Sequence, residues 1–270
     1  MLFKITSAAL ILFVLATQAF PQNKTRIDQF SVTSLLLVLW SNKLDLGTAT
    51  GFVVQKGSKY YLVTNWHVIA GRRPDNNLVL DAKGRAPDQI RILQNTNKKL
   101  GEWHWVTEDL YDPTTHLPRW IEHALGRRVD LVMLPLESTD DVQFYPLDLE
   151  LRNKSIELIP ASEVSIVGFP FGNVSSAGLP IWKAGSVASD PDVNYQSSAQ
   201  FLVDTTSRPG MSGSPVYARR IGSYRDENGN LVIGSADKFL GVYAGDIDSA
   251  SEVGRVWKAS ALMEIYDSIK

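Results

Sequence analysis

After residue 33 the chain is a succession of short apolar stretches separated by turn residues. Residues 34–40 (SLLLVLW), 48–55 (TATGFVVQ) and 59–68 (KYYLVTNWHV) are strand-length and rich in apolar, β-branched and aromatic side chains. Residues 78–81, 89–93 and 102–106 are weaker strands, and 130–136 (DLVMLPL) ends a first series. Between them, 107–128 is irregular and holds Pro113 and Pro118. It reads as a long surface excursion with a short helix around 120–125. A second series follows at 164–169, 181–188, 200–204, 214–218, 239–244 and 253–257, with Asn228-Gly229 marking a hairpin. The period then changes. Leu262, Ile265, Tyr266 and Ile269 fall at i, i+3, i+4 and i+7, one face of a helix. Ser260 is placed to cap that helix, with Glu264 near its positive end.

Two runs of about six strands and a terminal helix predict an all-β protein of antiparallel barrels or sandwiches. The pattern divides the chain into a lead-in at 20–33, a first unit at 34–150 and a second at 151–270 that includes the helix.

Composition adds limits. A chain of 270 residues, 44% hydrophobic and 21% charged, suits a globular protein with a sizeable core. A net charge of −2 gives no general surface for nucleic acid. Lys4, the apolar run 8–17 and Thr17-Gln18-Ala19 read as a signal peptide, 1–19, cleaved after Ala19. The run is short for a membrane span, so no stable insertion is expected after cleavage, and the protein is expected to be secreted or periplasmic. An uncleaved N-terminal anchor is the alternative. There is no cysteine, so the exported chain is held by its core alone.

The candidate chemistry centres on Ser207-Arg208-Pro209-Gly210-Met211-Ser212-Gly213-Ser214-Pro215-Val216. A serine between glycines can stand out from a tight bend, with backbone N–H groups aimed at its target. The same residues also suit an ordinary surface turn. A serine nucleophile needs an imidazole base, itself oriented by a carboxylate. The four histidines, His67, His104, His116 and His123, all precede Ser212, which excludes the α/β-hydrolase order. Ser214 also stands where the G-x-S-x-G elbow needs glycine. His67 lies at the end of an apolar strand, and Asp130 opens another. The other three histidines are read as surface or structural. None has metal-ligand spacing, and neither metal nor cofactor is expected.

With T-N-W-H-V around His67, V-D-L-V-M-L around Asp130 and G-M-S-G-S-P-V around Ser212, the chain resembles the trypsin-like (chymotrypsin-fold) serine peptidases. It is similar in style to their disulfide-free bacterial members. Residues 164–172 (VSIVGFPFG) and Gly185-Ser186-Val187 resemble HtrA-type relatives. The resemblance covers roughly 34–268. It implies two six-stranded antiparallel β-barrels with the active site between them, and a serine endopeptidase acting on polypeptides. It assigns a catalytic triad of His67, Asp130 and Ser212, and an oxyanion hole from the N–H groups of Gly210 and Ser212. Thr206 would sit at the base of the specificity pocket, and Tyr243, Ala244 and Gly245 would form the strand that pairs with substrate. Met211 departs from the animal digestive enzymes, where an aspartate captures a new N-terminus, so no such activation is expected. A catalytically silent binding domain on the same fold and an esterase using the same serine are the alternatives.

Overall fold

The computed structural model describes residues 26–137, 141–248 and 250–270. The expected signal peptide falls outside the described residues. The described chain opens with a short helix, α1 (Gln29–Thr33), capped by the Asp28 carboxylate. Phe30 and Val32 of this helix are buried, and the Phe30 ring stacks on Tyr217 at 4.1 Å between centroids. Residues 30–33 are therefore buried instead of forming part of a loose lead-in. The alternation of apolar Phe30 and Val32 with polar neighbours was too short to register as a helix face.

The first sheet contains β1 (Ser34–Ser41), β2 (Leu44–Lys56), β3 (Lys59–Thr64), β4 (Gln89–Asn95), β5 (Trp103–Asp109), β6 (Ile121–Glu122) and β7 (Val132–Leu136). Its seven strands are ordered β5-β4-β1-β2-β3-β7-β6. Every named pairing in it is antiparallel. The end strands β5 and β6 are not paired with each other, so this half is an open sheet rather than the second closed six-stranded barrel that was expected. The excursion supplies β6, an end strand of only two residues.

The expected helix at 120–125 is this strand, with a 3₁₀ turn after it at Gly126–Arg128. Residues 113–118 of the excursion are exposed, as expected, but part of it packs inward. Trp120 is buried in the core of the first sheet and meets Tyr111 edge-on at 5.4 Å. Residues 78–81 form no strand; only an isolated bridge joins Arg72 to Val79.

The second half is a closed barrel of six strands. These are β8 (Glu163–Gly168), β9 (Ile181–Val187), β10 (Gln200–Asp204), β11 (Pro215–Arg220), β14 (Ala236–Asp246) and β15 (Val253–Lys258). Pairing of Val187 with Val203 closes the ring. A hairpin of β12 (Ser223–Arg225) and β13 (Leu231–Ile233) projects from it. Its loop turns at Asn228-Gly229, where Gly229 adopts φ +78° and Asp226 accepts from the backbone of Asn228 and Asn230.

Helix α3 (Ala259–Ser268) ends the chain. It begins one residue before Ser260 and has no side-chain cap, because β15 runs directly into it. Leu262 and Ile265 join a core cluster with Phe52, Val63 and Met133 of the first sheet and Val167, Tyr217 and Phe239 of the barrel. The two halves thus share apolar core as well as a boundary, and Phe52 meets Phe239 edge-on at 5.8 Å across it.

Candidate active site

His67 does not lie on a strand. β3 stops at Thr64, and Asn65 begins the short helix α2 (Trp66–Ala70). Gly71 ends the helix in the left-handed conformation, φ +62°, donating its N–H to the His67 carbonyl. A β-carbon at Gly71 would collide with the Pro87 ring. The strand expected at 59–68 was therefore six residues of strand followed by a turn of helix. The apolar run Val68-Ile69-Ala70 suits both, and periodicity cannot separate them over so few residues.

Asp130, almost fully buried, uses both carboxylate oxygens on His67. Oδ1 accepts the His67 backbone N–H at 2.8 Å, and Oδ2 lies 2.7 Å from the ring Nδ1. A carboxylate only accepts, so in the neutral ring Nδ1 carries the proton and Nε2 the lone pair. Asn65 Nδ2 donates to the Asp130 carbonyl at 2.8 Å, which fixes the backbone behind the carboxylate. Asp130 itself precedes β7 by two residues instead of opening the strand.

Ser212 is partly buried and lies in the turn before β11. It shares with His67 a cavity of about 200 Å³. The turn is fixed from several sides. Ser212 C=O accepts the Thr50 N–H at 2.9 Å, and Gly210 C=O accepts the Thr50 hydroxyl at 2.8 Å. The same hydroxyl accepts the Phe169 N–H at 3.0 Å. At Gly213, φ +87°, a β-carbon would collide with the Thr50 carbonyl. Thr50, wholly buried on β2, therefore ties the serine turn to the first sheet. In the sequence Thr50 is marked only as part of the strand at 48–55. Its role depends on a partner 160 residues away, and no local spacing marks that.

Among the described residues, the backbone N–H groups of Gly210 and Ser212 have no hydrogen-bond partner. Their direction has a cause. The Phe171 N–H donates to the Pro209 carbonyl at 2.6 Å, and all described peptides are trans. In a trans peptide C=O and N–H point opposite ways, so holding the Pro209 carbonyl turns the Gly210 N–H the other way. Gly210 has φ +93°, and a β-carbon there would strike the Phe169 carbonyl. Met211, between the two donors, is fully buried in the barrel core.

In the strand expected to pair with substrate, Tyr243 is engaged by the serine turn. Tyr243 gives its N–H to Ser214 C=O and takes the Gly213 N–H on its own carbonyl, each at 2.9 Å. Both backbone groups are occupied by the serine turn. Its ring is buried in the barrel, and burial pushes the phenol pKa up, so the neutral hydroxyl donates to Asp246 Oδ1 at 3.3 Å. The pairing of β14 with β15 skips from Tyr243 to Asp246, which leaves Ala244 and Gly245 at an irregularity. A β-carbon on Gly245 would come within 3.8 Å of the Ser212 hydroxyl. Thr206 lines an open cavity together with residues of β8 and β9.

The other histidines stand apart from this cluster. His104 pairs with Gln94 across β4 and β5, and His116 occupies a turn at φ +57°. Buried His123 accepts the Leu125 N–H on Nδ1 and meets Glu264 of α3 through Nε2 at 2.7 Å. Its neighbour Glu122 accepts the indole N–H groups of Trp66 and Trp120 on one oxygen, at 2.8 and 3.0 Å. Among the described residues, no group of three or more His, Asp or Glu side chains is disposed to hold a metal ion.

An all-β fold with a closed barrel beside a large antiparallel sheet is that of the trypsin-like serine endopeptidases, and a family model described as a trypsin-like peptidase domain matches residues 49–223. The chain belongs to this family. Solved structures share the fold at low identity. The serine endoprotease from Yersinia pestis aligns over 90% of this chain and 67% of its own, at 13% identity and a TM-score of 0.51. The thermostable serine protease AL20 from an extremophilic microorganism aligns over 89% of this chain and 99% of its own, at 11% identity and a TM-score of 0.51. No curated protein matches the sequence significantly.

Proposed function

We propose that the chain is an exported serine endopeptidase in which Ser212, His67 and Asp130 act as one catalytic unit. The observation that carries this reading is the double engagement of His67 by Asp130, with Ser212 on the same cavity. With Nδ1 protonated, Nε2 is the acceptor for the Ser212 hydroxyl proton. Ser212 Oγ then attacks a peptide carbonyl carbon, and the carbonyl oxygen turns toward the free N–H groups of Gly210 and Ser212. The imidazolium, stabilised by Asp130, returns the proton to the leaving amine, and the acyl group stays on Ser212 until water removes it by the same route. Backbone groups at Ala244 and Gly245 are placed to hold the substrate on the acyl side.

Digestion of a peptide library, run beside hydrolysis of a p-nitrophenyl ester, tests the reading. Wild type is expected to cleave both, and Ser212→Ala neither. Ester hydrolysis without peptide cleavage would point to an esterase, and neither activity in the wild type would point to a silent binding domain. Export, inferred from residues 1–19, is tested by comparing the N-terminus of secreted protein with Phe20.

A further inference from the structure

The cavity that Ser212 shares with His67 is apolar over most of its wall. Leu39, Leu46, Val68, Leu80 and Pro87 line it. The charged pair on its rim is internally satisfied. Arg85 donates from Nε and Nη2 to Asp81 at 3.0 and 2.8 Å, and Asp81 also accepts the Lys83 and Arg85 N–H groups. Neither charge is left over for a ligand.

The pocket is built by the chain that leaves α2. Gly71 ends the helix and lets Pro87 pack against it, and its carbonyl accepts the Leu80 N–H at 2.9 Å. Leu80 is thereby held over the cavity although about half exposed. β14 contributes no wall residue, and neither does Gly210. The cavity therefore lies on the imidazole side of Ser212, away from Ala244, Gly245 and Gly210. On that side stands the amine that receives a proton from His67.

We infer that this cavity is the subsite for the substrate residue immediately after the cleaved bond, and that it selects a medium-sized apolar side chain such as leucine. The inference rests on the serine-peptidase reading above. A volume of about 200 Å³ is below the usual range for whole-ligand pockets, and it suits one side chain. Selection follows from removal of that side chain and the half-exposed leucines from water.

Acyl transfer tests this without knowledge of the natural substrate. p-Nitrophenyl acetate loads an acetyl group on Ser212 with a burst of p-nitrophenolate. An added amino acid amide then attacks the acyl carbon as its proton passes to His67; the bond to Ser212 Oγ breaks and Oγ takes that proton back. The attacking amine uses the place a leaving amine vacates, because the two steps are the reverse of each other. Leucinamide, glycinamide and the 1-amide of glutamic acid compete for the acetyl-enzyme, and the N-acetyl products are counted by mass spectrometry.

Leucinamide is expected to win by about tenfold or more over both, the scale on which an apolar pocket discriminates. Leu80→Ser and Leu46→Ser are each expected to bring the ratio toward one. Leu231→Ser, on the distant hairpin, is expected to leave it unchanged. A burst followed by equal yields, by no transfer, or by preference for the acidic amide would overturn the pocket assignment alone. Absence of a burst that wild type shares with Ser212→Ala would overturn the serine-peptidase reading and this assignment with it.

Discussion

Asp130 spends both oxygens on a single residue, one on the His67 ring and one on its backbone. An amide in its place would keep the shape and lose the preferred tautomer. Asp130→Asn is expected to lower turnover by about 10⁴-fold with little change in thermal midpoint. Steady-state kinetics and a melting curve on the same preparation check both halves of that statement. Thr50 has a different role. Its hydroxyl donates to Gly210 and accepts from Phe169 in a wholly buried place. Thr50→Val keeps the volume and leaves both backbone groups without that partner. It is expected to cost about 1–3 kcal/mol of stability and to reduce turnover, while Thr50→Ser restores both. Urea unfolding and turnover of the pair measure it. His67, Asp130 and Ser212 could be singled out because each lies in a short local motif. Thr50 could not, since its partners are distant in sequence. Nor could the engaged backbone of Tyr243, which follows from the pairing of β14 with the serine turn.

Strands with continuous apolar runs were legible as elements: β1, β3, β7, β8 and β10 lie where the pattern put them, to within a few residues. The pattern failed where an element spans fewer than two of its own periods. α1 and α2 have five residues each, and β6 has two. β6 nevertheless matters for the site. Through Glu122 it holds the indole of Trp66, the residue before His67, and that of Trp120. The excursion at 107–128 thus braces the histidine helix from behind and contributes nothing to the walls of the cavity at Ser212. Glu122→Ala removes the common acceptor and is expected to lower turnover and to destabilise the fold by about 1–3 kcal/mol. Glu122→Gln, which keeps an acceptor, is expected to retain most of both. Equal losses in the two variants would instead assign the effect to charge.

At the scale of the molecule, two halves of different closure form one core. Phe52, Val63 and Met133 of the open sheet pack with Tyr217 and Phe239 of the barrel and with Leu262 and Ile265 of α3. Phe30 joins them from the start of the described chain, and Asp28 beside it pairs with Arg219 of the barrel at 2.6 Å. The site lies on this same boundary: His67 and Asp130 come from the first half, Ser212 from the second, and Thr50 joins them. Loss of either half would expose the shared cluster, so calorimetry is expected to show one unfolding transition with no separately melting barrel. Two resolved transitions would mean that the shared cluster does not couple the halves. Strand spacing indicated the all-β class and the division into two series. It did not indicate that one series closes and the other stays open, because closure depends on which end strands pair and strand spacing does not encode pairing.

The central claim is that Ser212 is a nucleophile activated by His67 and Asp130. Mapping the site of covalent attack tests it most directly. Wild type, His67→Ala and Ser212→Ala are treated with a fluorophosphonate, digested with a second protease and read by mass spectrometry. One adduct is expected on the wild-type peptide containing Ser212, with labelling at least about a hundredfold slower in His67→Ala and none in Ser212→Ala. An adduct on another residue, or labelling of His67→Ala at the wild-type rate, would contradict it.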